Sequence, residues 1–281
     1  MTALDITFIV LTYNRPDALL AVLRSLADQC KPGDQIIVAD DGSHADSLRI
    51  LRDHVPRFKC SALHVWHEDR GFTASAARNR AALYATNPYL VFLDGDCVPG
   101  PVFVESHRGL AQKSCFVNGS RVLLGPELTQ SVLSKQCDLT RMPASFWLQA
   151  WLRGQANKVH HLLPWPLSWH TVHREFSWRG IRSCNFGLWR DDFFAVNGFD
   201  QVYLGWGHED ADLVLRLHHA GVGRKNGFLA TEVFHLWHLE SPRLHEHINR
   251  ARVMERRGLG TVRAELGLTE VVASEGTSSP L

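Results

Sequence analysis

The sequence predicts an α/β domain built on a mostly parallel sheet flanked by helices. Three observations carry this. Short, continuously apolar, β-branched runs alternate with stretches of helical periodicity. The runs lack the polar alternation of a half-exposed strand, so both their faces are expected to be covered. A polar cluster follows each run.

The elements follow in order. "ITFIVLT" is a buried strand, and "RPDALLAVLRSLADQC" after it has helical spacing, with Pro16 and Asp17 in the first turn. "QIIVAD" and "SHADSLRILRDHV" repeat the pair, as do "SALHVWH" and "TASAARNRAALYAT"; "PYLVFLD" is the fourth strand. After about residue 120 the pattern loosens, and residues 141–180 carry Trp147, Trp151, Trp165, Trp169 and Trp178 among prolines and basic residues. Regularity returns with "CNFGLWRDDFFAVNGFD". "HEDADLVLRLHHAG" reads as a helix with acids in its first turn, and "GFLATEVFHLWH" as a strand ending in two histidines. "GVGRKNG" at 221–227 reads as a turn, Pro242 to about Glu265 as a helix, and "ASEGTSSPL" as a disordered tail.

At 281 residues the chain suits one large domain, or a core with an appendage. A net charge of +1 gives no general attraction to nucleic acid, so none is expected as a partner. The six cysteines are scattered with no CxxC pair, which suits reduced thiols. No G-x-G-x-x-G follows the first strand, and no P-loop lysine signature is present. The start has no basic n-region and no apolar stretch is long enough to span a bilayer, so a cytoplasmic protein is expected, and Asn118 in "NGS" is read as a chance sequon.

In parallel sheets, ligands bind beyond the carboxyl ends of the strands. Here those ends carry "TYNR" (with Thr12, Tyr13 and Arg15), "DDGS" (with Asp41), "HEDRG" and "DGD" (Asp94 and Asp96), which should open onto one crevice. Two carboxylates at a strand end suit a divalent cation that in turn holds phosphate, although D-G is also an ordinary turn. His235 and His238 in "HLWH" lie three residues apart and would meet if the backbone turns; in a chain with 16 histidines they also suit core hydrogen bonding. Carboxylate with imidazole favours Mn²⁺ over Mg²⁺, with Zn²⁺ also compatible. In "GWGHEDADL", Glu209, Asp210 and Asp212 complement a helix dipole, and Asp212 with Arg216 reads as a structural i,i+4 pair. Trp206 between two glycines, beside carboxylates, suits a sugar ring, and a carboxylate within reach of a hydroxyl suits a general base. Tyr13 suits stacking on a base, and Asp41 suits the N–H of a uracil; each loop alone also suits simple capping.

These blocks, in this order, resemble the family 2 glycosyltransferases of GT-A fold, a Rossmann-like, mostly parallel sheet with a C-terminal acceptor-binding region. "FIVLTYNRPDALLAVLRSL", "VADDGS", "GFTASAARNRA" and "YLVFLDGD" are similar to that family's N-terminal half. "CNFGLWRDDFFAVNGFDQVYLGWGHEDADLVLRL" is similar to the C-terminal module of β-1,4-galactosyltransferases and chondroitin-polymerase-type enzymes. The resemblance spans about residues 5–240. Two departures stand out: Leu11 replaces the family's usual proline, and Ala211 then Asp212 follow "ED" where the galactosyltransferase-like enzymes carry further acids.

The resemblance implies a UDP-sugar donor, a divalent metal and a saccharide or lipid-linked saccharide acceptor. It implies that Thr12, Tyr13, Arg15, Asp41, Arg78, Asn79 and Asp94 bind the nucleotide-sugar. Asp96, His235 and His238 would bind the metal, Asp210 would be the catalytic base, and Glu209 and Trp206 would bind the acceptor. Residues 1–120 would form the nucleotide-sugar half and 121–240 the acceptor half, including an insertion at 141–180. Residues 241–281 would form a closing helix and tail. The implied activity is transfer of a hexose or N-acetylhexosamine, galactosyl-type favoured, in cell-surface polysaccharide or lipopolysaccharide synthesis. A metal-dependent hydrolase and a non-catalytic carbohydrate-binding protein are the alternatives. The Trp-rich segment 141–180 suits either peripheral contact with the inner face of a membrane or a loop packed over the acceptor cleft.

Overall fold

The computed structural model describes residues 4–163, 166–205, 207–239, 245–271 and 276–281. The first half alternates as its periodicity predicts: β1 (Ile6–Thr12), α1 (Pro16–Gln29), β2 (Gln35–Asp40), α2 (Ala45–His54), β3 (Ser61–His67), α3 (Ala74–Leu83) and β4 (Tyr89–Asp94). Then come β5 (Cys97–Pro99), α4 (Phe103–Leu110), β6 (Cys115–Asn118), β7 (Ser120–Leu123), α5 (Pro126–Leu133), α6 (Ala144–Leu152) and β8 (Val172–His173). The remaining elements are β9 (Asn185–Trp189), α7 (Arg190–Ala195), α8 (Glu209–His219), β10 (Gly223–Asn226), β11 (Glu232–His235), α9 (Glu246–Leu259) and β12 (Gly276–Pro280).

The main sheet has nine strands in the order β12-β3-β2-β1-β4-β9-β6-β10-β8. β3, β2, β1 and β4 are mutually parallel; β6 and β10 run the same way beyond the antiparallel β9. Side-chain alternation divides each central strand between two cores. Phe8 and Val10, Ile36 and Val38, and Val91 and Leu93 face a cluster built on α1. Ile9, Ile37, Leu90 and Phe92 face the cluster built on α3, α7 and α8. Both faces are therefore dry, which explains the unbroken apolar runs, each fully buried Leu, Ile or Phe contributing about 1.5–3 kcal/mol. α3 meets the sheet through Ala77, Ala81 and Ala82, and these small residues let the helix sit close enough to bury Arg78, Asn79 and Arg80 as well.

A second sheet, β5-β11-β7, stands at the carboxyl ends of the first. β11 runs antiparallel to β5 with His235 opposite Cys97, and the Leu236 N–H donates to the Asp96 carbonyl at 2.9 Å. This register joins residues about 140 positions apart in the sequence.

Three expectations are corrected. The stretch 221–227 is not merely a turn: Gly223–Asn226 form β10, which takes backbone hydrogen bonds from both β6 and β8. The tail is not disordered over its last residues. Gly276–Pro280 add antiparallel to β3, and Leu281 donates its N–H to the Ala62 carbonyl; the edge of β3 supplies unpaired backbone groups that outweigh the tail's polar composition. The closing helix is shorter than its periodicity suggested, because Gly260 at φ 63° caps α9; Pro242–Leu244 lie outside the described residues.

In the segment 141–180, Trp147 is buried and stacks on Phe234 at 4.6 Å, while Leu148, Trp151 and Leu152 of α6 are exposed. Trp165 lies outside the described residues. No helix among them is long and apolar enough to cross a membrane.

Candidate active site

The four strand-end clusters do converge. The Asp41 N–H donates to the Thr12 carbonyl, and the Gly95 N–H donates to the Leu11 carbonyl, tying the ends of β2 and β4 to that of β1. Gly95 has to be glycine, since a Cβ would lie 2.7 Å from the Leu11 carbonyl oxygen. Gly42 adopts φ +95°, and a Cβ there would meet the Asp69 backbone at 2.5 Å. These two close approaches are why the acids of "DDGS" and "DGD" are punctuated by glycine. Asn14 binds both Ser43 and His44, fixing the first loop against the second.

On the β1–β3 side, Tyr13 is 45% exposed and its hydroxyl donates to Asp69 at 2.9 Å. That bond raises the phenol above its usual value and fixes the ring at the crevice mouth. Asp41 is buried; it accepts from the Thr73 N–H at 2.9 Å and the Thr73 hydroxyl at 2.5 Å, and His67 Nε2 lies 3.2 Å away. Its carboxylate is thus held rigid by the start of α3. Thr12 is nearly buried, and Arg15 at the crevice edge lies 3.4 Å from Asp17.

Arg78 answers the charge of the first aspartate. Its Nη2 donates to Asp94 at 2.7 Å and its Nη1 lies 3.6 Å from Glu209. Burial works against the guanidinium, yet Asp94 and Glu209 hold its pKa above the ordinary value. Asn79, in contrast, has no exposed surface: its amide donates to the Phe199 carbonyl and accepts from the Phe199 N–H. The expected contact with a nucleotide gives way to pinning the chain before α8, because the side chain one position on from Arg78 turns to another face of α3.

Asp96 faces the histidines. His238 Nε2 lies 3.2 Å from one carboxylate oxygen and His235 Nε2 3.8 Å from the other. Burial opposes ionisation of Asp96, but His238 and the neighbouring imidazole hold its carboxyl below the usual range. The bond to Asp96 raises His238, whereas burial lowers His235. Asp96, Cys97 and His235 also offer ligand atoms within 4.8 Å of one another. Burial keeps the Cys97 thiol well above its usual pKa, so the carboxylate and imidazoles are the better donors. An O/N set converging from two strands fits a divalent cation such as Mn²⁺.

α8 carries the remaining acids. His208 at φ 73° and Gly207 at φ 104° reverse the chain into its first turn. Burial, then the adjacent Asp210, pushes Glu209 up to about 7 against the pull of Arg78. Burial also raises Asp210, while the N–H groups of Ala211 and Ser183 and the charges of Arg78 and Arg182 restrain it. α8 is anchored from behind by Asp212 and Arg216, wholly buried at 2.7 Å as a structural pair, with Arg256 bridging Asp212 and Asp200. Trp206 lies outside the described residues.

Sequence reasoning missed several residues here. Asp69 stood in a recognised strand-end cluster but had no partner visible before folding. Thr73, Ser183 and Arg182 carry no local signal at all. Glu209, assigned to an acceptor, also serves the Arg78–Asp94 group.

The profile of glycosyl transferase family 2 matches residues 7–160. A second profile, described as the N-terminal domain of galactosyltransferase, matches residues 167–246. The chain is 30% identical over 267 residues to validoxylamine A glucosyltransferase of Streptomyces hygroscopicus subsp. limoneus, covering 88% of this chain and 53% of that protein. It is 25% identical over 266 residues to chondroitin synthase of Escherichia coli, covering 88% of this chain and 36% of that protein. The chain therefore spans about half the length, or less, of these curated relatives. A crystal structure of S. aureus TarS 1-349 superposes with a TM-score of 0.56 at 14% identity, covering 95% of this chain and 68% of that one, a likeness of fold.

Proposed function

The chain belongs to glycosyl transferase family 2, and from that premise we propose that it is a metal-dependent, inverting glycosyltransferase using a UDP-sugar donor. The observation that carries the reading is the meeting of Asp96 with His235 and His238 beside the Arg78–Asp94–Glu209 group. A hexose or N-acetylhexosamine is the proposed cargo, with a galactosyl-type sugar favoured by the likeness of residues 167–246. The acceptor is a saccharide or lipid-linked saccharide of cell-surface polysaccharide or lipopolysaccharide synthesis. A cytoplasmic site, with the exposed Leu148, Trp151 and Leu152 touching the inner membrane face, accords with a lipid-linked acceptor.

The residues divide the chemistry. Tyr13, steadied by Asp69, offers a face to the base, and Asp41 offers a fixed carboxylate to a ring N–H. Thr12 and Arg15 flank the nucleotide, and Arg78 sets the Asp94 carboxylate toward the sugar-nucleoside. Asp96, His235 and His238 would hold Mn²⁺, with Mg²⁺ the alternative, which when bound supplies Lewis-acid neutralisation of the departing diphosphate. Asp210 removes the proton from the acceptor hydroxyl as its oxygen attacks the anomeric carbon, so the configuration inverts in one displacement. Glu209 and Trp206 orient the acceptor.

A UDP-sugar panel incubated with Mn²⁺, with and without saccharide acceptors, tests the reading. Acceptor-dependent transfer with inverted product is expected. Hydrolysis indifferent to every acceptor would make it a hydrolase, and the absence of donor turnover would leave a binding protein.

A further inference from the structure

The row of strand ends continues past the proposed donor site. Beyond β9, the carboxyl ends of β6 and β10 open into a cavity of about 340 Å³ walled by Arg121, Lys158, Arg182 and Arg224, with Asn226 and Phe228. That size falls within the range of small-molecule sites. No acid lines it, and among the described residues none of the four cations forms an ion pair with a carboxylate, although Asp94 acts on Arg121 and Asp210 on Arg182 from outside the wall.

Arg224 is held instead by the carbonyls of Ser177 and Arg179 and by Asn226. Burial lowers it from the ordinary guanidinium value, as befits a cation without a countercharge. Glu232, whose charge would act on Lys158, is buried, accepts from the Leu229 N–H, and is pushed up to about 7 by its burial, which weakens that charge. Phe228 is 45% exposed and presents an apolar face. Arg182 and Cys184, both in the wall, flank Ser183, whose N–H acts on Asp210. The cavity therefore adjoins the carboxylate assigned as base.

We infer that this cavity is an acceptor subsite for an anionic saccharide, one bearing a carboxylate or a phosphate. Four cations in a concave wall that holds no acid of its own gain from a ligand that brings negative charge. An aromatic face beside them suits the C–H side of a pyranose ring. Salt-screened contact at an open surface would need neither the recess nor the exposed ring. The assignment of this ligand as acceptor rests on the glycosyltransferase reading; the cavity's taste for anions does not.

The test is isothermal titration of the full chain at low salt with D-glucuronate, D-glucose 6-phosphate and D-glucose, with UDP and Mn²⁺ saturating. UDP binding is measured first and by itself: its failure would undo the transferase reading while leaving the cavity test standing. The anionic sugars should bind about tenfold more tightly than glucose, as expected for a charge-assisted hydrogen bond. Preference for glucuronate identifies a carboxylate, and preference for the 6-phosphate identifies a phosphate. Lys158→Asn, which suits the φ of 47° at that position, should weaken the anion about tenfold and leave glucose and UDP binding unchanged; Arg121→Gln should weaken the anion about tenfold and leave glucose binding unchanged. Equal binding of all three sugars, or equal losses for charged and neutral sugars in both variants, would overturn the inference.

Discussion

Asp210 and Glu209 are neighbours in sequence with different surroundings. Asp210→Asn keeps the shape and removes the proposed base. It should cut kcat by about a hundred- to ten-thousandfold while UDP-sugar affinity, measured by titration, stays near the native value. Burial raises both carboxyls, and the charge of Asp210 raises Glu209 further. The acid limb of kcat/KM should therefore fall as pH drops through about 7, where Glu209, beside Asp210, takes up a proton. Glu209→Gln removes a like charge from beside Asp210. Its lower carboxyl pKa should move that limb to lower pH, and a limb that stays put would separate the pair from the rate. In the Asp94–Asp96 turn, Asp96→Ala removes the carboxylate between two imidazoles. Mn²⁺ affinity, read by electron paramagnetic resonance, should fall at least about a hundredfold.

At the scale of elements, register and anchoring decide the site. The pairing of His235 with Cys97 across β5 and β11 is what brings the imidazoles to Asp96. A slip of one residue would turn His235 to the opposite face. α9 steadies the approach to α8: Asn249 donates to the carbonyls of Leu204 and Gly207. Asn249→Ala leaves two carbonyls without that donor and should cost about 1–3 kcal/mol of stability by denaturant unfolding. It should also raise the acceptor KM more than the donor KM, because the loosened loop leads into the first turn of α8. β1, β2 and β4 were legible because a strand covered on both faces has an unmistakable apolar run, and β3 and the three helices by their place in the alternation. β10 was not, since a short strand of Gly, Arg, Lys and Asn draws its stability from β6 and β8 and not from its own side chains.

Across the whole molecule, nine strands place the strand-end acids and the cationic cavity along one edge of a single sheet. β12 closes the far end. Deleting Gly276–Leu281 would expose the edge of β3 and remove its ladder to residues 276–280. A loss of about 1–3 kcal/mol is expected, typical of the larger single-site effects, seen as a lower melting temperature with unchanged metal affinity. A simultaneous loss of metal binding would mean that this edge is coupled to the site.

The sequence by itself determined the alternation of strands and helices, the crevice at their carboxyl ends and the identity of the acids and imidazoles, because apolar periodicity and residue type are local properties. Tertiary structure alone decided that Asp96 meets His238, that Asn79 turns inward to Phe199, and that Arg121, Lys158, Arg182 and Arg224 gather around one space. Those are distances between residues far apart in the chain, fixed by register and packing, on which no stretch of sequence carries information alone.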